Sequence, residues 1–104
     1  MKRRLLVDVT TKSGNTFNNG IEMDLSFPQE SDGRVCIATD SDGRRFRIRI
    51  SSLKDKFGIR VPSMKTLEKW VDDGTCSSIG GKSVEPDGWD SNGTPSWLIA
   101  LGLI

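Results

Sequence analysis

Residues 34–51 read RVCIATDSDGRRFRIRIS, and this stretch decides the fold. Both 34–39 and 44–51 alternate in side-chain character with the two-residue period of a strand. Between them, residues 40–43 form Asp-Ser-Asp-Gly, a turn sequence in which glycine supplies the left-handed backbone. The stretch therefore predicts an antiparallel hairpin. The side chains that we expect to point inward are apolar and two residues apart: Val35, Ile37, Phe46, Ile48 and Ile50.

Further strands are predicted on both sides of this hairpin. Residues 4–10 and 21–27 alternate apolar and polar side chains, and Pro28 ends the second strand because proline cannot donate to a ladder. After the hairpin we expect a helical turn over 52–58 and a last short strand over 59–61. About five short strands predict a small antiparallel sheet or an SH3-like barrel. The inward side chains of the first two strands are Leu5, Val7, Val9, Ile21, Met23, Leu25 and Phe27, and the connections fall at 12–15 and 29–33.

The apolar pattern then changes to a helical period. A helix is predicted from Ser63, a good N-cap, to Gly74, a natural stop. Its apolar stripe consists of Met64, Leu67, Trp70 and Val71. A hairpin over 75–84 follows, and Thr94, as N-cap before a proline, starts a final helix over 96–101.

The fold class is therefore α+β, with one domain over residues 1–104. A basic β-rich part, 1–61, precedes an acidic helix-hairpin-helix tail, 62–104. Residues 1–65 hold 13 Lys and Arg against 8 Asp and Glu, whereas residues 66–104 hold 2 against 6. The net charge is only +1, so the whole molecule lacks the strongly basic character typical of nucleic-acid binders.

Several chemistries are disfavoured by composition. The chain has no histidine, the usual general base and metal ligand. Two cysteines cannot supply a four-ligand zinc site, and whether Cys36 and Cys76 pair is left open. The turns at 40–43 and 90–93 resemble fragments of calcium loops but lack the ligands at the required spacing. We therefore expect no enzyme activity, no metal and no cofactor. No long apolar run or secretory signal is seen, so we expect a cytoplasmic protein without membrane contact.

Three features are candidates for binding. Arg45, Arg47 and Arg49 share one strand face at a spacing of about 6.7 Å, which suits a nucleic acid or an acidic protein. Alternatively, Glu22 and Asp24 on another strand neutralise them. Arg34, Arg44 and Arg60 are expected to widen this patch.

The tail supplies the other two candidates, an acidic pair and an apolar C-terminus that is taken together with Trp89. Asp72 and Asp73 end the first helix, where negative charge opposes the helix dipole, so they are either solvated surface or a contact with a basic partner. Trp89, in a polar loop, either covers the core or anchors an interface. The apolar C-terminus, 97–104, either packs in the core or forms a homodimer or partner interface.

Short motifs in the tail resemble a group of known sequences. They are LEKW at 67–70, DG at 73–74 with Cys76, VEPDG at 84–88, and PSWL at 95–98 with LG at 101–102. Over residues 67–104 the chain resembles small phage and bacterial proteins of no known function. Those proteins hold further Cys and His residues in this loop. The resemblance implies a shared scaffold whose metal site is lost here, because the corresponding positions hold Lys82, Asp90 and Asn92.

Size, charge and resemblance together predict a non-catalytic binding protein of phage or mobile-element type. We expect it to act by protein–protein contact, as an inhibitor of a host defence complex such as an anti-CRISPR or anti-restriction protein. The alternative is a small nucleic-acid-binding regulator that uses the arginine-lined strand face.

Overall fold

The computed structural model describes residues 1–31 and 34–104, and it confirms the α+β class. A four-stranded antiparallel sheet is accompanied by two short hairpins and three helices within these ranges. The strands are β1 (Lys2–Arg4), β2 (Val9–Thr10), β3 (Thr16–Phe17), β4 (Glu22–Ser26), β5 (Val35–Thr39), β6 (Arg45–Arg49), β7 (Cys76–Ser77) and β8 (Ser83–Val84). The helices are α1 (Leu53–Phe57), α2 (Met64–Asp73) and α3 (Trp97–Ala100).

The main sheet has the order β1-β4-β5-β6, so β6 lies at one edge. The other two sheets are the β2–β3 and β7–β8 hairpins, and the second confirms the hairpin expected over 75–84. One face of the main sheet and all three helices contribute buried side chains to the interior. The buried side chains of these elements form one core: Met23, Leu25, Cys36, Ala38, Phe46, Ile48, Leu53, Phe57, Leu67, Trp97, Leu98 and Ala100.

The prediction for the inward face of β5 was wrong. Cys36 and Ala38 are buried, whereas Val35 and Ile37 lie half-buried on the opposite face. The reason is the hairpin register, which places Ala38 opposite Phe46. Directly opposed residues share a face in an antiparallel pair, so the inward Phe46 turns Ala38 inward as well.

Two strand predictions near the ends of the β-rich part also need correction. The strand expected over 4–10 is divided, because Leu6 N–H donates to the Lys56 carbonyl at 2.7 Å and leaves the sheet. Leu5 is buried as expected, but Val7 is exposed. Residues 59–61 form no strand, since Ile59 N–H bonds back to Leu53 and closes α1. The helical turn expected over 52–58 is confirmed as α1.

Helix α2 has the predicted ends and a different apolar face. Ser63 Oγ accepts a hydrogen bond from the N–H of Thr66, and Gly74 ends the helix with a φ of 70°. Leu67 is buried, but Met64 and Val71 are 58% and 51% exposed. The expected stripe therefore contributes Leu67 and part of Trp70 to the core, while its two flanks face solvent.

The start of the final helix was also predicted wrongly. Ser96, not Thr94, is the N-cap, and its Oγ accepts from Ile99 N–H at 3.1 Å. Thr94 does not cap the helix, because its Oγ1 accepts from Gly80 N–H at 3.2 Å and donates to Asp90. In the loop expected over 29–33, residues Gln29–Ser31 form a 3-10 turn, and residues 32–33 lie outside the described residues.

One type of five-residue turn occurs four times among the described residues, at 11–15, 40–44, 78–82 and 90–94. In each turn the first N–H donates to the fifth carbonyl, over 2.7 to 2.9 Å. The first side chain, a hydroxyl or a carboxylate, accepts from the fifth N–H, over 2.9 to 3.2 Å. The fourth residue has a positive φ that only glycine adopts readily. These glycines are Gly14, Gly43, Gly81 and Gly93.

Candidate binding surface

The arginine row, which we define as Arg45, Arg47 and Arg49, lies on the sheet face opposite the core. All three side chains are exposed, while the alternate residues of β6 are buried. We call this side of the main sheet the open face, because its side chains are all exposed or half-buried. Alternate residues of a strand are about 6.7 Å apart, so the three guanidinium groups extend along one edge of the open face.

Apolar side chains lie beside the arginine row. The register places Val35 opposite Arg49 and Ile37 opposite Arg47. Both aliphatic side chains are half-buried. They line a shallow cavity of about 370 Å³ together with Pro28, Glu30 and Arg47. The open face thus has an apolar centre with a row of positive charges along one side.

The carboxylates proposed to neutralise the arginines are too far away. Glu22 and Asp24 lie on β4, and β5 lies between β4 and β6. The two carboxylates are therefore two strand spacings, or about 9.5 Å, from the arginine row. They pair instead with β1 and the amino terminus: Glu22 lies 3.9 Å from the Lys2 Nζ, and Asp24 accepts from the Met1 amino group at 3.1 Å. No ion pair within the described part of the chain includes the arginine row.

Arg44 does not widen this surface, contrary to expectation. Its Nε donates to Asp40 Oδ2 at 3.0 Å, within one of the recurrent turns. Its guanidinium carbon lies 5.0 Å from the centre of the Phe17 ring. Phe17 is itself buried against Phe46, so Arg44 covers the core on the side away from the arginine row.

Trp89 is half-buried and lies at a separate site. It lines a cleft of about 530 Å³ with Gln29, Arg34, Asp87, Ile99 and Ile104. Arg34 is therefore part of this cleft. The tail beyond α3 is less buried than the helix itself, since Leu103 and Ile104 are 43% and 50% exposed. The structure thus joins Trp89 to the apolar C-terminus and not to the arginine row.

Asp72 and Asp73 form a third, isolated location. They are the last two residues of α2, and both side chains are exposed. Among the described residues, no ion pair or hydrogen bond joins their side chains to another group. The structure therefore does not bring these carboxylates together with either of the other two candidates.

The loop in which the resemblance implies a lost metal site is organised around Asp90. Its Oδ1 accepts from the N–H groups of Asn92 and Thr94, at 2.9 and 3.1 Å. Its Oδ2 accepts from the hydroxyls of Thr94 and of Ser78, the latter at 2.6 Å. Partial burial raises the pKa of Asp90, but these four hydrogen bonds outweigh it and lower the pKa to about 2. Both oxygens are thus engaged by protein donors.

The other members of that loop do not converge on Asp90. Lys82 Nζ reaches Ser91 Oγ at 3.3 Å, and Cys76 Sγ contacts the Ser77 carbonyl at 3.2 Å. Cys36 and Cys76 are both buried free thiols, which answers the question of their pairing. Burial raises the pKa of the Cys36 thiol to about 12. Within residues 1–31 and 34–104, no three acidic or cysteine side chains form a cluster suited to a metal ion.

Comparison with known proteins identifies no relative. The chain matches no protein-family model, and no curated protein or solved structure matches it significantly. The resemblance of residues 67–104 to phage and bacterial proteins stays a prediction. In the described part of the chain, no helix is long and apolar enough to cross a membrane.

The sequence predicted the arginine row but missed its apolar neighbours. The missed signal is the turn at 40–44, which fixes the hairpin register and pairs Ile37 with Arg47. Taken together with an inward Phe46, that register places Val35 and Ile37 beside the arginines. The free edge of β6 was missed for another reason, since the order of strands in a sheet is a long-range property.

Proposed function

We propose that the protein is a non-catalytic binding protein that acts by protein–protein contact, and that the open face is its contact surface. One observation carries this proposal. Val35 and Ile37 form an apolar centre, and three arginines without a carboxylate partner among the described residues flank it. Protein interfaces combine a desolvated apolar centre with enriched arginine, which is the composition of this surface.

The remaining charges of the open face support a protein partner. Glu22 and Asp24 are exposed on the same face as the arginine row, so a phosphate backbone that crossed the sheet would meet these ion-paired carboxylates as well as the arginines. A surface with both signs of charge instead suits a partner with a complementary pattern. The sequence-based prediction of a host defence complex as this partner stays a prediction.

Nucleic-acid binding is the second candidate. It draws on the exposed arginine row, whose spacing of about 6.7 Å suits successive phosphates. Binding of this kind would be strongly salt-dependent. Against it, the described residues of the open face include no exposed aromatic side chain on which a base could stack, and Trp89 lies in another cleft.

The test is capture of a partner by the immobilised protein from a nuclease-treated bacterial lysate. We expect one protein to be retained in stoichiometric amount. The variants Ile37→Asp and Arg47→Glu should lose it, while Lys65→Glu, an equal charge reversal on exposed α2, should retain it. Circular dichroism would verify that each variant is folded.

Two results would contradict the proposal. Loss of the partner in Asp72→Lys with retention in both open-face variants would place the contact at the acidic end of α2. If the immobilised protein retained only oligonucleotides, and did so only from lysate without nuclease treatment, the result would favour the nucleic-acid candidate. Self-association through Leu103 and Ile104 would appear as a concentration-dependent mass in sedimentation, independent of either open-face substitution.

A further inference from the structure

The edge of the main sheet at β6 presents unpaired backbone groups. Asp40 N–H donates to the Arg44 carbonyl at 2.8 Å, which makes Arg44 a hydrogen-bonded position of the hairpin. Such positions recur at every second residue of an antiparallel pair. The backbone of Phe46 therefore hydrogen-bonds to β5, whereas the backbones of Arg45 and Arg47 do not. The N–H and C=O groups of Arg45 and Arg47 therefore point away from β5. No other described strand pairs with β6.

A groove of about 430 Å³ lies along this edge and separates β6 from β2. Its walls are formed by residues 9–12 on one side and 46–49 on the other, with Ser52 and Lys56. The charged residues among its described lining are all basic: Lys12, Arg47, Arg49 and Lys56. The volume lies within the range of about 300–1,000 Å³ typical of binding pockets. The groove is thus open, basic and bounded by a free strand edge.

We propose that an extended acidic polypeptide segment of a partner binds in this groove and pairs with β6 as an additional strand. The inference rests on the proposed function and specifies the partner's chemistry and its mode of binding. The edge alternates N–H donors and C=O acceptors, and an extended peptide is complementary to both. Four cationic side chains then select for carboxylates on that peptide.

The same geometry disfavours two other occupants. The phosphates of a nucleic-acid strand only accept hydrogen bonds, so they cannot pair with the carbonyls of Arg45 and Arg47. A second copy of this chain paired edge to edge would bring one arginine row against another. Charged side chains on an edge strand are a known protection against such self-pairing.

The test uses an eight-residue peptide of alternating Glu and Val, labelled with a fluorophore. We expect it to bind the protein in anisotropy titrations, with affinity falling as salt is added. In NMR hydrogen-exchange measurements, the amides of Arg45 and Arg47 should gain protection upon binding. Two analogues, N-methylated at all Glu or at all Val residues, distinguish pairing from charge attraction. One of them should lose about tenfold or more in affinity, because its donors toward β6 are removed, while the other binds nearly as before.

The controls give each alternative its own outcome. The matching Lys-Val peptide should not bind, and Lys12→Glu with Lys56→Glu should weaken the acidic peptide. Equal affinity of both N-methylated analogues, or no protection at Arg45 and Arg47, would overturn strand pairing. Tighter binding of single-stranded oligodeoxythymidine than of the acidic peptide would overturn the choice of a polypeptide. A captured protein partner that still requires Ile37, without protection of those amides, would overturn this inference and leave the proposed function standing.

Discussion

Replacement of Asp90 by Asn is expected to lower the free energy of unfolding by about 1–2 kcal/mol at neutral pH. In the native protein, Oδ2 of Asp90 accepts the hydroxyl hydrogens of Ser78 and Thr94, and Oδ1 accepts two backbone N–H groups. The amide of asparagine keeps an oxygen for the backbone donors. Its NH2 group, however, cannot accept the hydroxyl hydrogens of Ser78 and Thr94, so these two hydroxyls lose their charged acceptor.

The magnitude follows from the lowered pKa of Asp90. A fall from 3.8 to about 2 corresponds to about 2.5 kcal/mol, at about 1.4 kcal/mol per pKa unit. The side chain is partly exposed, so solvent screening reduces the realised effect to about 1–2 kcal/mol. Because the folded-state pKa is the lower one, the stabilisation is complete above about pH 4. It is lost as the pH falls through about 2.

The assay is urea denaturation between pH 7 and pH 2, followed by the fluorescence of the three tryptophans. The difference between wild type and Asp90→Asn should be constant down to about pH 4 and shrink below it. Asp42→Asn is the matched control, since Asp42 is exposed at the third position of the related turn and accepts no hydrogen bond from a described side chain or N–H. Equal effects of the two substitutions at pH 7, or a difference that persists unchanged at pH 2, would refute the reasoning.

Three further predictions concern the core, a turn and the thiols. Leu98→Ala should cost about 3 kcal/mol in urea denaturation, because Leu98 is 0% exposed and its loss leaves a cavity; a cost below that of an exposed Leu103→Ala would contradict this packing. Gly43→Ala should lower the free energy of unfolding by about 1–2 kcal/mol in the same assay. The cause is backbone strain at a φ of 84°, since an added Cβ would have no neighbour within 4 Å. Cys36 should resist alkylation by iodoacetamide at pH 8 and react once urea unfolds the chain, because burial raises its thiol pKa to about 12; rapid labelling of the native protein in mass spectrometry would argue against that burial.

Local signals in the sequence predicted most of the secondary structure. The alternation in β4 and β6, the Ser63 cap and the glycine that ends α2 all act within a few residues of the element they define. The β7–β8 hairpin was predicted from its paired glycines for the same reason. The arginine row also follows from alternation alone, since an inward Phe46 forces its neighbours outward.

The inward face of β5 was mispredicted because the register set by the nearby turn at 40–44 was overlooked, and the other failures arose where a distant contact decided the outcome. Val7 continues a strand pattern, but a hydrogen bond from Leu6 to Lys56 takes the chain out of the sheet. Thr94 precedes a proline as a helix cap would, yet its hydroxyl oxygen accepts from the distant Gly80 N–H and its hydrogen is donated to Asp90. The groove beside β6 depends on how β2 lies relative to the sheet, and no local pattern specifies that placement.

The four recurrent turns also bear on how far the sequence can vary. Each turn depends on its first and fourth residues, while the second and third make few demands on the backbone. In the turns at 11–15, 40–44 and 90–94 these middle positions are exposed, whereas the turn at 78–82 buries Ile79. Three corners of the protein are therefore suited to diversification, since exposed loop tips tolerate change best. A library that randomises residues 12–13, 41–42 and 91–92 would present new surfaces on an unchanged scaffold.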